Sequence, residues 1–312
     1  MSDALVSIVM NCHNGREFLR ESIQSVLDQT YKNWELIFVD NASSDDSAEI
    51  VKSYNDSRIR YLRIEKKVSL GEARNFALKN YRGDFLTFLD TDDVYFRKKI
   101  ELQIGFFEKN PNVDFLYTGY KLIGNVSPLL NFRLFLMRPH IFNPTGNVLG
   151  RFLRKSFVNL PTVMFRVDLL SNGLQFDSRL SHSEEFLFFA KLFTRCEVGY
   201  LEQVTVNYRI HQNQLSQKGQ ENYVSEAKIV LEDLRGEIDT NSKLSQEDLD
   251  FFQSKIDYWK FLTLIKNNNF VAAKDTIKAI QCDAIEFKLL KVIAKMPDRL
   301  VKTFMRLWNQ YS

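Results

Sequence analysis

Short apolar, β-branched runs alternate with helical periodicity over the first 120 residues. Runs at Leu5–Met10, Glu35–Val39, Ile59–Ile64 and Phe85–Leu89 predict strands; Phe18–Leu27, Ser47–Tyr54, Leu70–Lys79 and Phe96–Glu108 predict helices. Strand–helix alternation at this spacing means βαβ units, and so an α/β domain on a mostly parallel sheet flanked by helices. Sheets of this type bind ligands at the carboxyl ends of their strands, so residues just after each run are the candidates for function.

Farther on the pattern is mixed. Val113–Leu122 and Val198–Ile210 read as strands and Ser183–Thr194 as a helix, while 124–145, with Pro128, Pro139 and Pro144, reads as a long loop. From about 220 helical runs at 222–236, 246–266, 270–281 and 284–310 follow one another without a strand, which predicts an α/β domain over 1–217 and an all-helical C-terminal region over 218–312.

Composition narrows the class. The 312 residues are 45% hydrophobic and 26% charged with a net charge of +3, so the chain is globular and bulk electrostatics give no reason to expect nucleic acid. Cys12, Cys196 and Cys282 are scattered and odd in number, against a disulfide framework or a zinc knuckle. No basic segment precedes the first apolar stretch and no apolar run reaches membrane-spanning length; the expectation is a cytoplasmic protein, soluble or peripheral.

Three polar clusters fall at the strand ends: Asn11-Cys12-His13-Asn14, Asp40 to Asp45, and Asp90-Thr91-Asp92-Asp93. A bare D-x-D is a weak motif, and Asp248-Leu249-Asp250 is a second copy. That copy lies in a helical pattern, where positions two apart do not share a face. Asp90 and Asp92 follow a buried-type strand, where carboxylates suit Mg²⁺ or Mn²⁺ held together with substrate phosphates. The bland alternative is that Asp92 or Asp93 caps the next helix. No two of the 12 glycines stand two apart, which rules out the dinucleotide fingerprint, so a metal would have to neutralise the phosphates.

The ordered set Ser7 to Asn14, Trp34 to Asp45, Gly71-Glu72-Ala73-Arg74-Asn75 and Gly83 to Asp93 resembles family 2 glycosyltransferases. The resemblance implies a GT-A fold, with a nucleotide-binding half over about 1–115 and an acceptor half over 116–217. It implies inverting transfer from a nucleotide-diphospho sugar, UDP-linked, to a glycan or lipid-linked acceptor in surface-polysaccharide synthesis. By position, Asp40 matches the base-binding residue, Asn11 and Asn14 lie beside the nucleoside, Arg74 matches a nucleotide contact, Asp90 faces the ribose or donor sugar, and Asp92 is the metal ligand. Inverting transfer needs one general base. Glu185 aligns with it and Glu184 with its acidic neighbour, Glu standing where Asp is commoner; the alternative is two acids favouring a helix N-terminus. Tyr208 to Ser216 resembles the closing segment of the family, in which Arg209 and Ser216 cover the diphosphate and His211 joins the metal shell.

The final stretch, Glu286–Ser312, carries six basic residues against Glu286 and Asp298, an excess of 6 − 2 = +4, on an apolar stripe that includes Leu289, Ile293, Phe304 and Trp308. Two occupants are open for it: an anionic surface on the inner face of the cytoplasmic membrane, or protein, meaning the catalytic domain or a second subunit of a homo-oligomer. The functional alternatives are a sugar-phosphate nucleotidyltransferase and a non-catalytic nucleotide-sugar or glycan binder.

Overall fold

The computed structural model describes residues 3–126, 143–212, 214, 222–237 and 243–280, and the single positions 282, 287, 292, 295, 297 and 300. Ser216, most of the loop expected at 124–145 and most of the last predicted helix lie outside them. The chain divides into two compact units, one of Met1–Val148 with Ser156–Gln214, the other of Leu149–Lys155 with Leu215–Ser312. A short segment, 149–155, thus belongs to the second unit, which a single cut after 217 does not anticipate.

The first unit holds an eight-stranded sheet in the order β3-β2-β1-β4-β7-β6-β8-β5. Its strands are β1 Val6–Cys12, β2 Trp34–Asn41, β3 Ile59–Ile64, β4 Phe85–Phe88, β5 Val94–Tyr95, β6 Phe115–Gly124, β7 Met164–Arg166 and β8 Val198–Ile210. β3, β2, β1 and β4 pair in parallel, as the alternating pattern demands. β7 then runs antiparallel to both β4 and β6, and β5 antiparallel to β8, so the far half of the sheet is mixed. β5 and β7 were not expected: two and three residues are too few to show a period.

Helices α1 Leu19–Leu27, α2 Ser47–Lys52, α3 Leu70–Leu78, α4 Lys99–Lys109 and α6 Glu184–Phe193 complete this unit. β2 carries the apolar run Leu36–Val39 and is buried along its whole length, the signature of a strand covered on both faces. The core joins Ile8, Met10, Trp34, Leu36, Phe38, Phe85, Ile104 and Phe107, all of them almost fully buried. Removing this much apolar surface from water, at about 25 cal/mol per Å², is the main force holding the strand ends in register. Gly83 permits the close turn into β4, since a Cβ there would sit 2.6 Å from the Leu5 carbonyl oxygen.

The second unit contains α5 Leu149–Arg154, α7 Tyr223–Glu237, α8 Gln246–Lys266 and α9 Phe270–Ala279. Its core gathers Phe251, Phe261, Ile265, Ala273, Ile277 and Ile280. Asp248 has a structural task here. It closes a capping box with Ser245 at the start of α8, which accounts for the second D-x-D without any metal.

Candidate functional site

Because β1, β2 and β4 are parallel, Asn11, Asp40 and Asp90 emerge along one edge of the sheet. The loops there are laced together. The Asn14 N–H donates to Ser43 Oγ (3.1 Å), Asn14 Oδ1 accepts from the Ser44 N–H (2.8 Å), and the Gly15 N–H donates to Ser47 Oγ (3.1 Å). Asn14 and Ala42 hold the left-handed conformation, at φ 58° and 55°. A Cβ on Gly15 would lie 2.9 Å from Thr91 Oγ1, so the β1 loop rests directly on the acidic loop.

Asp40 is fully buried, and both its oxygens are occupied. Oδ1 accepts from the Ser43 N–H (2.8 Å), while Oδ2 accepts from the Tyr61 hydroxyl (2.6 Å) and from Arg63 (3.1 Å). This carboxylate anchors the rim from beneath, and Arg63 is the charge that reaches solvent above it, 40% exposed. Asn11 differs: its Nδ2 is sealed from solvent and has no hydrogen-bond partner among the described residues, leaving a donor unused at the end of β1.

The acidic loop is pinned from two sides. Ser22 on α1 donates to the carbonyls of Thr91 and Asp93 (2.8 and 2.7 Å), and Arg209 at the end of β8 donates through Nε to the Asp92 carbonyl (2.8 Å). The Arg209 guanidinium also pairs with Glu21 and lies 4.4 Å over the Phe18 ring, so the residue expected to cover a diphosphate is already engaged in holding the loop. Asp93 caps no helix. It is buried, and its Oδ1 accepts from the Arg209 N–H (2.8 Å). Burial, helped by the nearby Asp90 charge, pushes the Asp93 carboxyl up to about 9. For Asp90 the protein around the carboxyl does the same, outweighing Arg74, and takes it up to about 7, although 38% of the side chain stays open at the mouth of the site.

Asp92 and His211 meet across 119 positions of sequence, with Oδ2 2.9 Å from Nε2 and both side chains partly exposed. A carboxylate oxygen and an imidazole nitrogen converging on one solvent-reachable spot are a donor set that Mn²⁺ or Mg²⁺ accepts. Among the described residues no cluster of three or more such side chains forms, so phosphate oxygens would have to complete a shell.

The largest departure from expectation is at Arg74. It is 2% exposed and reaches three carboxylates: Nη1 donates to Glu184 Oε1 (3.0 Å), Nη2 to Glu185 Oε1 (2.6 Å), and Nη2 lies 3.9 Å from Asp90 Oδ1. Although burial opposes its charge, Glu185, Glu184 and Asp90 together raise the pKa further. Two features hold α3 in place for this. Asn75 exchanges two 2.8 Å hydrogen bonds with the Phe176 backbone, and a Ser69–Glu72 capping box starts the helix. Phe176 in turn stacks on Phe188 of α6 at 4.0 Å, locking the helix that begins with the two glutamates. Glu184 is buried, with 4% of its side chain exposed, whereas Glu185 keeps 35%.

Known proteins of similar sequence and fold give the family. The profile of "Glycosyl transferase family 2" matches residues 7–170. The UDP-Glc:α-D-GlcNAc-diphosphoundecaprenol β-1,3-glucosyltransferase WfgD of Escherichia coli is 45% identical over 127 residues, 41% of this chain and 50% of its own. An uncharacterised glycosyltransferase of Rickettsia prowazekii is 33% identical over 66% of this chain and 64% of its own, and the putative teichuronic acid biosynthesis glycosyltransferase TuaG of Bacillus subtilis is 36% identical over 38% and 48%. The chain spans about half the length of the E. coli relative and a third of a Rickettsia felis one, 50% and 34%. Among solved structures, S. aureus TarS 1–349 in complex with UDP-GlcNAc superposes with a TM-score of 0.68 at 18% identity, over 97% of this chain and 88% of that one, which shows the GT-A fold. With a family profile spanning residues 7–170 of its 312, laid over the strand ends that gather Asn11, Asp40, Arg74 and Asp90, the chain belongs to glycosyltransferase family 2.

Proposed function

We propose that the chain is an inverting glycosyltransferase that moves a sugar from a UDP-linked donor to a glycan or lipid-linked acceptor in surface-polysaccharide synthesis. The observation that carries this reading is the contrast between the paired glutamates. Only Glu185 combines a carboxylate open to an incoming hydroxyl with a charged partner that fixes its position. Glu185 is the general base and Glu184 its buried support. The UDP donor and the lipid-diphosphate acceptor are supported by the name of the E. coli relative and by the TarS complexes with UDP-GlcNAc and UDP.

In the transfer, the acceptor oxygen attacks the anomeric carbon from the face opposite the leaving group. Its bond to carbon forms as the bond from that carbon to the phosphate oxygen breaks, and the nucleoside diphosphate departs with the electron pair. The hydroxyl proton passes to Glu185, a contribution of about 10²–10⁴ in rate. Asp90 stands at the mouth to receive the ribose or sugar, and Asn11 and Asn14 line the rim beside the nucleoside. Asp92 and His211 would hold a divalent ion, as Mn²⁺ accompanies GDP-Man in the Pyrobaculum calidifontis mannosyltransferase of similar fold, and its charge would stabilise the departing diphosphate. Arg209 steadies that loop; Ser216, expected on the diphosphate, belongs to the same reading. The basic C-terminal stripe docks the chain on the inner face of the cytoplasmic membrane, where a lipid-linked acceptor is found.

Incubating the protein with a panel of UDP-sugars and a lipid-diphosphate acceptor, with and without Mn²⁺, tests this. Metal-stimulated transfer with inverted anomeric configuration is the expected result. Retention of configuration, or metal-stimulated binding without turnover across the panel, contradicts it.

A further inference from the structure

Resting on the transferase reading, we infer that Arg74 is not a donor contact but a positioning residue, a buried hub that sets the place of the base Glu185 through Glu184. A residue that touches the nucleotide must present donors to the cleft. Arg74 presents almost none: with 2% of its side chain exposed, one arm of its fork is taken by Glu184 and the other by Glu185. The guanidinium also packs 5.3 Å over the Phe176 ring, which closes its remaining face. A planar fork that meets two adjacent carboxylates at 3.0 and 2.6 Å fixes the angle between them as a point charge does not.

The division of labour follows from burial. Glu184 is sealed and cannot take a proton from an acceptor, so its contribution is to hold one end of the guanidinium. The other end then faces Glu185, one of whose oxygens accepts from Arg74 while the side chain remains 35% exposed on the cleft side. Adjacent carboxylates at the start of a helix would otherwise repel each other and splay. The same guanidinium approaches Asp90 within 3.9 Å, so the hub also ties the base to the loop that faces the donor.

The test is steady-state kinetics of the full chain with Arg74→Lys, Glu184→Gln and the double variant, read as donor KM against kcat. Lysine keeps the charge but loses the fork. Misplacing the base by about an ångström is expected to lower kcat by about 10²-fold in Arg74→Lys, with donor KM within about threefold of the parent. Glu184→Gln, which keeps the shape of the side chain and guards against a misfolded arginine variant, is expected to show the same split. The double variant is expected to be no worse than the poorer single, as for residues that act as a unit. A rise of about tenfold in donor KM with kcat preserved would mark Arg74 as a nucleotide contact and overturn the proposal, as would additive losses or parent-like kinetics in both singles. These outcomes require an active parent, so failure of the hub is separable from failure of the transferase reading, which shows as a parent that turns over no donor.

Discussion

Lys99 lies with no exposed surface under β4, its Nζ donating to Thr87 Oγ1 (2.9 Å) and Gln103 Oε1 (2.7 Å). Burial holds its pKa well below the usual 10.5. Between that lowered value and 10.5 the unfolded chain binds a proton that the folded chain does not, so this group makes stability rise with pH through the window. Replacing it with methionine is expected to flatten the dependence of unfolding free energy on pH in the range below 10.5; denaturant titrations at several pH values read this, and an unchanged slope contradicts it. At Asp92, alanine is expected to abolish Mn²⁺-dependent donor binding by calorimetry, and donor binding that still responds to Mn²⁺ would move the metal elsewhere. At Arg74, truncation to methionine leaves Glu184 buried without its cation, a loss of about 3–5 kcal/mol in stability that thermal unfolding would register. Part of this residue's placement was legible. Gly71, Arg74 and Leu78 recur at helical spacing, which puts Arg74 on the buried face of α3. What it meets there was not legible, because Glu184 lies 110 positions away and only the folded sheet brings the two together.

Among the elements, β1 to β4 were readable because each carries a short stretch rich in β-branched, aromatic and other apolar residues between helical patterns. β5 and β7 carry too few residues to declare themselves, and their antiparallel pairing depends on partners far along the chain: Val94 opposite Asn207, and Phe85 opposite Arg166. The site shows the same split. Asp90 and Asp92 were legible from their position after β4, whereas the closure of that loop by Ser22 and Arg209 is a tertiary fact. The two D-x-D segments also part at this scale. Asp248→Ala is expected to cost about 0.5–2 kcal/mol by breaking the α8 capping box, while leaving transfer per folded molecule unchanged. A variant that is as stable as the parent but inactive would give this second segment a role in chemistry that its helical setting denies it.

For the whole molecule, the parallel strands β1, β2 and β4 bring their carboxyl-end loops to one edge, and β8, parallel to β6 and through the antiparallel β7 in the same sense as β4, brings Arg209 and His211 to that same edge. One sheet thereby gathers the rim residues and the Asp92–His211 pair, with Glu185 joined to Asp90 through Arg74. Among the described residues no helix is long and apolar enough to cross a membrane; the proposed lipid contact is that of the basic C-terminal stripe read from the sequence. Each basic residue near an anionic surface contributes about 1 kcal/mol, and the chain is expected to bind anionic vesicles at low salt and leave them at high salt. Indifference to such vesicles at low salt would assign the stripe to protein instead. The claim on which the account depends is that Glu185 removes the acceptor proton, and the turnover of Glu185→Gln tests it most directly. The amide keeps the shape and loses the basicity, so kcat is expected to fall by about 10²–10⁴ with donor KM near that of the parent. Parent-like turnover in Glu185→Gln would contradict the account.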